Sequence, residues 1–263
     1  MLILPLQRRM TWANAPRVTL VLVALNVLVF VLLQGGDGRI MQQAASYYLG
    51  SDLGRIEFPL YNTWLHDHDA DPQRIELMRR GPPIAKLFLM ESDYAFLDAL
   101  HAGRLIAQDS PEYPAWHASR SHFEQIRDRA FTPGHATRFS HVEPTRILWG
   151  MFMHGSVMHL LGNMFFLLVL GLLVEGALGG GWFLGLYLLG GIGATAGELV
   201  LKWGEQGMLL GASGAIAALM GAFCVIWGLR KVRVFYWFFV VFDYVRVPAL
   251  ALLPVWLGWQ VFE

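Results

Sequence analysis

The chain has 263 residues, 55% of them hydrophobic, and its 20 Lys+Arg balance its 20 Asp+Glu to give no net charge. Zero net charge and the lack of a basic cluster on the polar part give no reason to expect nucleic acid as a partner. Charge is instead uneven along the chain, with 15 of the acidic and 12 of the basic residues between positions 35 and 149, which is the pattern of an integral membrane protein with a polar insert.

The N-terminal tail, residues 1–17, carries Arg8, Arg9 and Arg17 and no small-residue cleavage site follows it, so the first apolar run is an anchor and not a signal peptide. About 20 apolar residues cross a hydrocarbon core of about 30 Å. Val18 to Leu33 qualifies first, then roughly Leu148 to Val174, Trp182 to Leu201, and Met208 to Leu229. One more span lies within Val234 to Phe262. Asp243, Arg246 and Pro248 interrupt it, so its spanning part can shrink to Val247–Phe262, with Val232–Val245 and the aromatic run Phe235 to Phe239 lying at the interface. The single cysteine, Cys224, falls in the fourth span and can form no intrachain disulfide.

Positive charge near span ends, on the tail and at Arg230-Lys231-Arg233, predicts a cytoplasmic N-terminus in a plasma membrane or bacterial inner membrane, with the insert outside. The second and fourth spans then both enter from the exterior. His159 lies about ten residues and Ser213 about five residues below the outer edge, roughly 15 and 8 Å deep. The expected organisation is a tail at 1–17, a first span at 18–34, an exterior polar insert at 35–147 and a membrane core at 148–263.

Within the insert, Leu87, Met90, Tyr94, Leu97 and Leu100, and again Trp116, Phe123, Ile126 and Ala130, recur at helical spacing, which predicts a small, mostly helical subdomain. His66-Asp67-His68-Asp69-Ala70-Asp71 has metal-ligating residue types, but ligands crowded into one loop rarely complete a coordination shell. It reads as a solvated turn.

Polar side chains inside a span are functional candidates because hydrocarbon penalises them unless they pair or face a wet cavity. His159 and Asn163 are four residues apart on one face of the second span, two donors aimed in one direction, as an oxyanion hole requires. The same spacing also suits polar groups that hydrogen-bond between helices. Gly211-Ala212-Ser213-Gly214 similarly reads either as small residues for close packing or as a nucleophilic serine in a backbone that a substrate can approach.

Taken together and in this order, the two motifs resemble those of the rhomboid family of intramembrane serine proteases over roughly residues 146–229. His154, His159 and Asn163 match the family's second-span pattern, and Gly211 to Gly214 its Gly-x-Ser-Gly, continued by Ala218-Leu-Met-Gly221. The resemblance implies an all-α polytopic membrane protein, a rhomboid-like bundle with five spans present of an expected six and a mostly helical exterior insert between the first and second. It implies Ser213 as nucleophile, with His159, Asn163 and the Ser213 backbone N–H forming the oxyanion hole. Gly211, Gly214 and His154 have supporting roles, and the glutamate of Val174-Glu175-Gly176 a structural one. Substrates would be single-span membrane proteins cut near the exterior face of the lipid bilayer, with no metal or cofactor.

Three departures stand out. Position 217, where the family often has an aromatic residue, is Ala; the exterior loop after the first span is much longer than in the family's simplest members; and no histidine follows Ser213. Arg146 falls where the family often has a Trp-Arg pair, but residue 145 is Thr, so that feature is half present. The family's base is a histidine on a sixth span, and loss of the base from a serine protease costs about six orders of magnitude in rate. As it stands the chain is expected to be inactive, either a protease whose gene continues to a sixth span or a catalytically inactive rhomboid-like protein that binds transmembrane clients.

Overall fold

A computed structural model of the chain describes residues 2–5, 15–139, 142–203, 207–238 and 241–262. In chain order it forms β1 (Leu2–Pro5), α1 (Arg17–Leu28) with a π-helical turn at Val29–Leu33, α2 (Asp37–Gly50), α3 (Leu53–Asp67), α4 (Pro72–Arg80), α5 (Pro83–Glu91), α6 (Tyr94–His101), α7 (Tyr113–Arg127) and α8 (Phe131–His135). There follow β2 (Thr137–Arg138), α9 (Pro144–Gly150), α10 (Val157–Leu178), α11 (Gly180–Leu201), β3 (Met208–Leu209), α12 (Ser213–Trp227), β4 (Lys231–Phe238), β5 (Val241–Pro248) and α13 (Leu252–Phe262). The chain divides into two compact units, one of residues 1–31, 144–201 and 210–263, the other of residues 32–143 and 202–209.

The first unit is the membrane unit. Among the described residues three helical runs are long and apolar enough to cross a bilayer, Arg17–Gly50, Val157–Leu178 and Gly180–Leu201, and Ser213–Trp227 and Ala249–Gly258 are shorter apolar helices. Along α1 and its π turn the buried positions are Thr19, Leu22, Asn26 and Val29, a three-four-three spacing that gives one narrow seam, and α1 packs on α10. Pro16 precedes the helix and offers no side-chain cap. The cap comes from α10, where the Glu175 carboxylate accepts from Val18 N at 3.0 Å, from Thr19 N at 2.8 Å and from the Thr19 hydroxyl at 2.7 Å. Gly171, one turn earlier, has no Cβ because the Thr19 side chain occupies that place.

Helices α11 and α12 meet through small residues, as helices in lipid do where backbones must come close. A Cβ on Gly214 would stand 2.8 Å from the Ala194 methyl, and one on Gly191 would stand 3.2 Å from that of Ala215 and collide with Met151. Gly190 is likewise closed off by Ala218.

Two expectations are corrected here. The chain is mostly helical but not all-α: while the apolar helix Ala249–Gly258 falls within the Val247–Phe262 stretch to which the fifth span can shrink, Lys231–Phe238 and Val241–Pro248 pair as an antiparallel hairpin, and Leu2–Pro5 of the tail adds to β4 with Leu2 opposite Trp237. The reason is composition. This stretch is apolar through Val, Phe, Tyr and Trp, residues that suit a pleated surface, and it lacks the Leu and Ala of the true spans. Second, the region from Leu148 is not one helix: α9 ends at Gly150 and α10 begins at Val157, where Ser156 Oγ accepts from His159 N at 3.0 Å and so caps it.

The second unit is built of the short helices α2 to α8. The helical pattern seen in the sequence is its core: Leu87, Met90, Leu97, Leu100, Trp116, Phe123 and Ala130 are all buried. Asp71 caps α4 through Gln73 N at 2.7 Å and Asp93 caps α6 through Phe96 N at 3.1 Å. In the His66–Asp71 segment His68 stacks on Trp64 with ring centroids 3.8 Å apart, and Asp69 adopts a left-handed backbone. Among the described residues no three His, Cys, Asp or Glu side chains are grouped to hold a metal ion.

Less visible from sequence is an ion network through this core. Glu57, at 0% exposure, accepts from Tyr48 OH, from Trp116 Nε1 and from Arg120 Nη1 at 2.8, 2.8 and 3.0 Å. Arg120 also holds Glu91 at 2.8 Å and Glu124 at 2.9 Å, and His101 Nε2 lies 2.7 Å from Glu124 Oε1. Burial raises the Glu57 carboxyl above its usual range, with Arg120 opposing it.

At Glu124 burial also raises the carboxyl, but the His101 hydrogen bond and the charges of Arg120, His101 and Arg127 prevail and bring it down to about 2. An unfolded glutamate titrates near about 4.3, so this group contributes stability that is complete above that value and is lost as pH falls through about 2. Thermal unfolding followed from neutral pH into acid should weaken through that window, and Glu124→Gln should flatten the decline. An unchanged slope would remove Glu124 from the acid response.

For the membrane unit, Glu175→Ala should lower stability by about 3 kcal/mol, because it leaves the Val18 and Thr19 amides without acceptors. Thr19→Val should then cost little more in the Glu175→Ala background, a comparison read by thermal unfolding in detergent.

Candidate functional site

The polar residues of the membrane unit gather at the heads of two helices. His159 is the third residue of α10 and Ser213 the first of α12, so both stand on a helix's opening turn and not several residues inside a longer one. Helix α10 starts this late because Gly155 and Ser156 break the chain after His154 and the Ser156 hydroxyl caps the first turn at His159 N. His154 consequently lies in the 151–156 loop, off the helix, buried, with its ring edge-on to that of His159 at 5.1 Å between centroids.

Gly211 is the point where the two helix heads meet. Its φ of +128° belongs to a region that L side chains rarely adopt. A Cβ at this position would lie 2.8 Å from His159 Cε1, 2.9 Å from His159 Nε2 and 3.6 Å from Ser213 Oγ. The imidazole and the serine hydroxyl thus flank one small volume that only a glycine leaves open. Gly211 N donates to Gly150 O at 2.8 Å, which ties this turn to the end of α9. Gly155 N also points at His159 Nδ1, at 3.5 Å, leaving Nε2 as the nitrogen on the Gly211 side.

Asn163 follows His159 by one turn and is 2% exposed, and its amide nitrogen has no hydrogen-bond partner among the described residues. A buried amide donor held without an acceptor is costly unless something arrives to use it. Gly214 serves packing, against Ala194. The sequence-derived site residues therefore fall in one unit, with Ser213, His159 and Gly211 in direct proximity and His154 beside His159. Two residues not singled out by the sequence motifs also shape the site. Ser156 sets where α10 begins, and a capping serine before an apolar run was a readable signal. Met151, packed into Gly191, carried none.

These features define a class, a multi-pass helical membrane protein whose polar side chains converge where two helices begin. The rhomboid-domain family model matches residues 141–262. Residues 141–262 thus carry a rhomboid domain, the domain of a family of intramembrane serine proteases, and that stretch covers α9 to α13 with both sequence motifs. No curated protein and no solved structure matches the chain.

Gly211→Ala should strain the backbone by about 1–3 kcal/mol and drive the new methyl into the His159 ring. Ser213 reactivity should fall with little change in helix content by circular dichroism. Retained reactivity in this variant would show that the imidazole can move aside.

Proposed function

We propose that the protein is an intramembrane serine endopeptidase that cleaves single-span membrane proteins near the exterior face, with its N-terminus in the cytoplasm and residues 35–147 outside. The observation that carries this reading is the meeting of His159 and Ser213 at Gly211, with the unpartnered Asn163 amide one turn along from His159. Ser213 attacks the scissile carbonyl, and a tetrahedral oxyanion forms. His159, Asn163 and the Ser213 backbone N–H donate to that oxyanion, and collapse expels the amine and leaves an acyl-enzyme for water to hydrolyse. His154 supports His159. The lipid bilayer is the medium, and a substrate helix must open before cleavage because a regular helix hides its own peptide bonds.

Depth is consistent with that chemistry. The 15 residues of α12 rise about 22 Å, short of the hydrocarbon thickness of about 30 Å, so a serine at its head can stand below the outer surface while Trp227 approaches the inner one. The proton of Ser213 requires an imidazole other than His154 and His159, which take other roles, and in the family resemblance that imidazole is on a further span.

A fluorophosphonate probe should label the full-length protein and should not label its Ser213→Ala variant. Equal labelling of both would dismiss Ser213 as nucleophile. Asn163→Ala should reduce cleavage of a model single-span substrate by about 100- to 1,000-fold with binding retained. Substrate held but never cut by the unaltered protein would support the client-binding reading.

A further inference from the structure

Residues 202–209, between α11 and α12, group with residues 32–143 in the second unit. A two-stranded antiparallel ladder ties them there, with Thr137 of β2 opposite Leu209 of β3 and Arg138 opposite Met208. The β2 side is firmly seated. Ala136, Thr137 and Phe139 are buried, the Arg138 guanidinium lies 4.6 Å from the centroid of the Tyr94 ring at the head of α6, and Arg138 Nη2 donates to Pro133 O at 3.2 Å. Helix α8, just before β2, is itself capped by Asp37, whose carboxylate accepts from Phe131 N at 2.6 Å and from Thr132 N at 2.8 Å. Phe139 receives the other side. Its ring comes within 3.9 Å of where a Cβ on Gly207 would stand, and Lys202 Nζ lies 5.6 Å from its centroid.

We propose that this ladder is a positioning device through which the polar insert sets the turn at Gly211 and the placement of Ser213, a role that rests on the protease reading in so far as Ser213 is the nucleophile. Leu209 and Gly211 are separated by one residue, at most about 7 Å along an extended chain, so a shift of β3 has only Leu210 to absorb it. The turn that follows is a demanding one. Gly211 has φ +128° and its N–H donates to Gly150 O at 2.8 Å, while α12 opens without a side-chain cap among the described residues. Helix ends fray, and an uncapped one has fewer bonds to prevent it. Its order then depends on the chain that enters it, and β3 is that chain. Thr137, Arg138, Met208 and Leu209 are positioning residues, which act on Ser213 only through the backbone that joins β3 to it.

The test uses the full-length protein in lipid nanodiscs, with Cys224 replaced by Ala, as Arg138→Ala, as Arg138→Lys and as a cross-strand cysteine pair, Thr137→Cys with Leu209→Cys. Opposed residues of an antiparallel pair have Cα atoms about 4.5–5.5 Å apart, within disulfide reach, so the pair should oxidise to a cross-link. Failure to cross-link would overturn the ladder itself. Arg138→Ala removes the cation from the Tyr94 ring and one hydrogen bond, and amide exchange at Met208, Leu209 and Gly211 should rise together by about tenfold. Arg138→Lys keeps a cation over the ring and should raise it by about threefold at most. The oxidised cysteine pair, added to Arg138→Ala, should return all three amides to the rate of the unaltered protein. A rise confined to Met208 and Leu209, with Gly211 unmoved, would make the ladder a loop fastener and overturn the positioning role. An equal rise at the centre of α10, residues 167–173, would overturn it too, as a loss of general stability. Fluorophosphonate labelling of Ser213 should fall by the same factor in Arg138→Ala and recover on oxidation of the added pair, and this arm alone depends on the protease reading. Lack of label on the unaltered protein would count against that reading, while exchange at Gly211 still decides the role of the ladder.

Discussion

The Glu175 carboxylate takes up two backbone amides and a hydroxyl at the head of α1, and the arrangement of the membrane unit depends on it. A helix begins with several N–H groups that have no intrahelical acceptor. In water these groups are solvated, but a bilayer interior offers nothing. Pro16 cannot cap α1 with a side chain, so the acceptor has to come from another helix, and the helix that supplies it becomes the one α1 must lie beside. Gly171 and Gly180 are consequences, since each clears room for the side chains of Thr19 and Val18 that the clamp brings in. A carboxylate, which would be expensive in hydrocarbon alone, is stabilised by the donors that need it.

The second unit solves the opposite problem with the same rule. It has charge in excess and a small core, and it buries Glu57 and Arg120 at the centre of that core. Removal of both from water costs more than a hydrophobic pair would, so the network is poor evidence for stability as such. Its geometry is nevertheless complete around Glu57, where a phenol, an indole and a guanidinium each donate. That set of donors links α2, α3 and α7, so it specifies which short helices pack together, a matter that Leu and Met side chains decide only loosely.

How much of this was legible in the sequence depends on what each residue's signal shares with its alternatives. Helix faces such as Leu87, Met90, Leu97 and Leu100 were readable because period and burial agree. Ser213 with its glycines, and His159 with Asn163, were readable because residue type and spacing are both unusual in an apolar span. The 231–248 hairpin was not, because hydropathy scores Val, Phe, Tyr and Trp alike in a strand and in a span, and only the pairing partner decides between them. Glu57 looked like any solvated charge, since nothing local marks a carboxylate whose partners Trp116 and Arg120 lie 59 and 63 residues away.

The treatment of helix starts gives the membrane unit its functional asymmetry. Helix α1 is capped by Glu175, and α10 by its own Ser156. Helix α12, which Ser213 opens, has no side-chain cap among the described residues, and the residue before it, Ala212, has none to offer. An uncapped start leaves first-turn N–H groups for another acceptor and keeps the positive end of the helix dipole unneutralised. Such a start is a poor choice for stability, and in lipid more so than in water. On the proposed reading it becomes useful, because negative charge then develops beside Ser213. The Asn163 amide, one turn along α10 from His159, is likewise held without a partner. Unmet donors on both helices that meet at Gly211, in a unit that caps α1 and α10, are a cost that a purely structural bundle could have reduced with a single serine or aspartate at position 212. Their occurrence on those two helices is what the proposed reading, a site where an anion forms, accounts for.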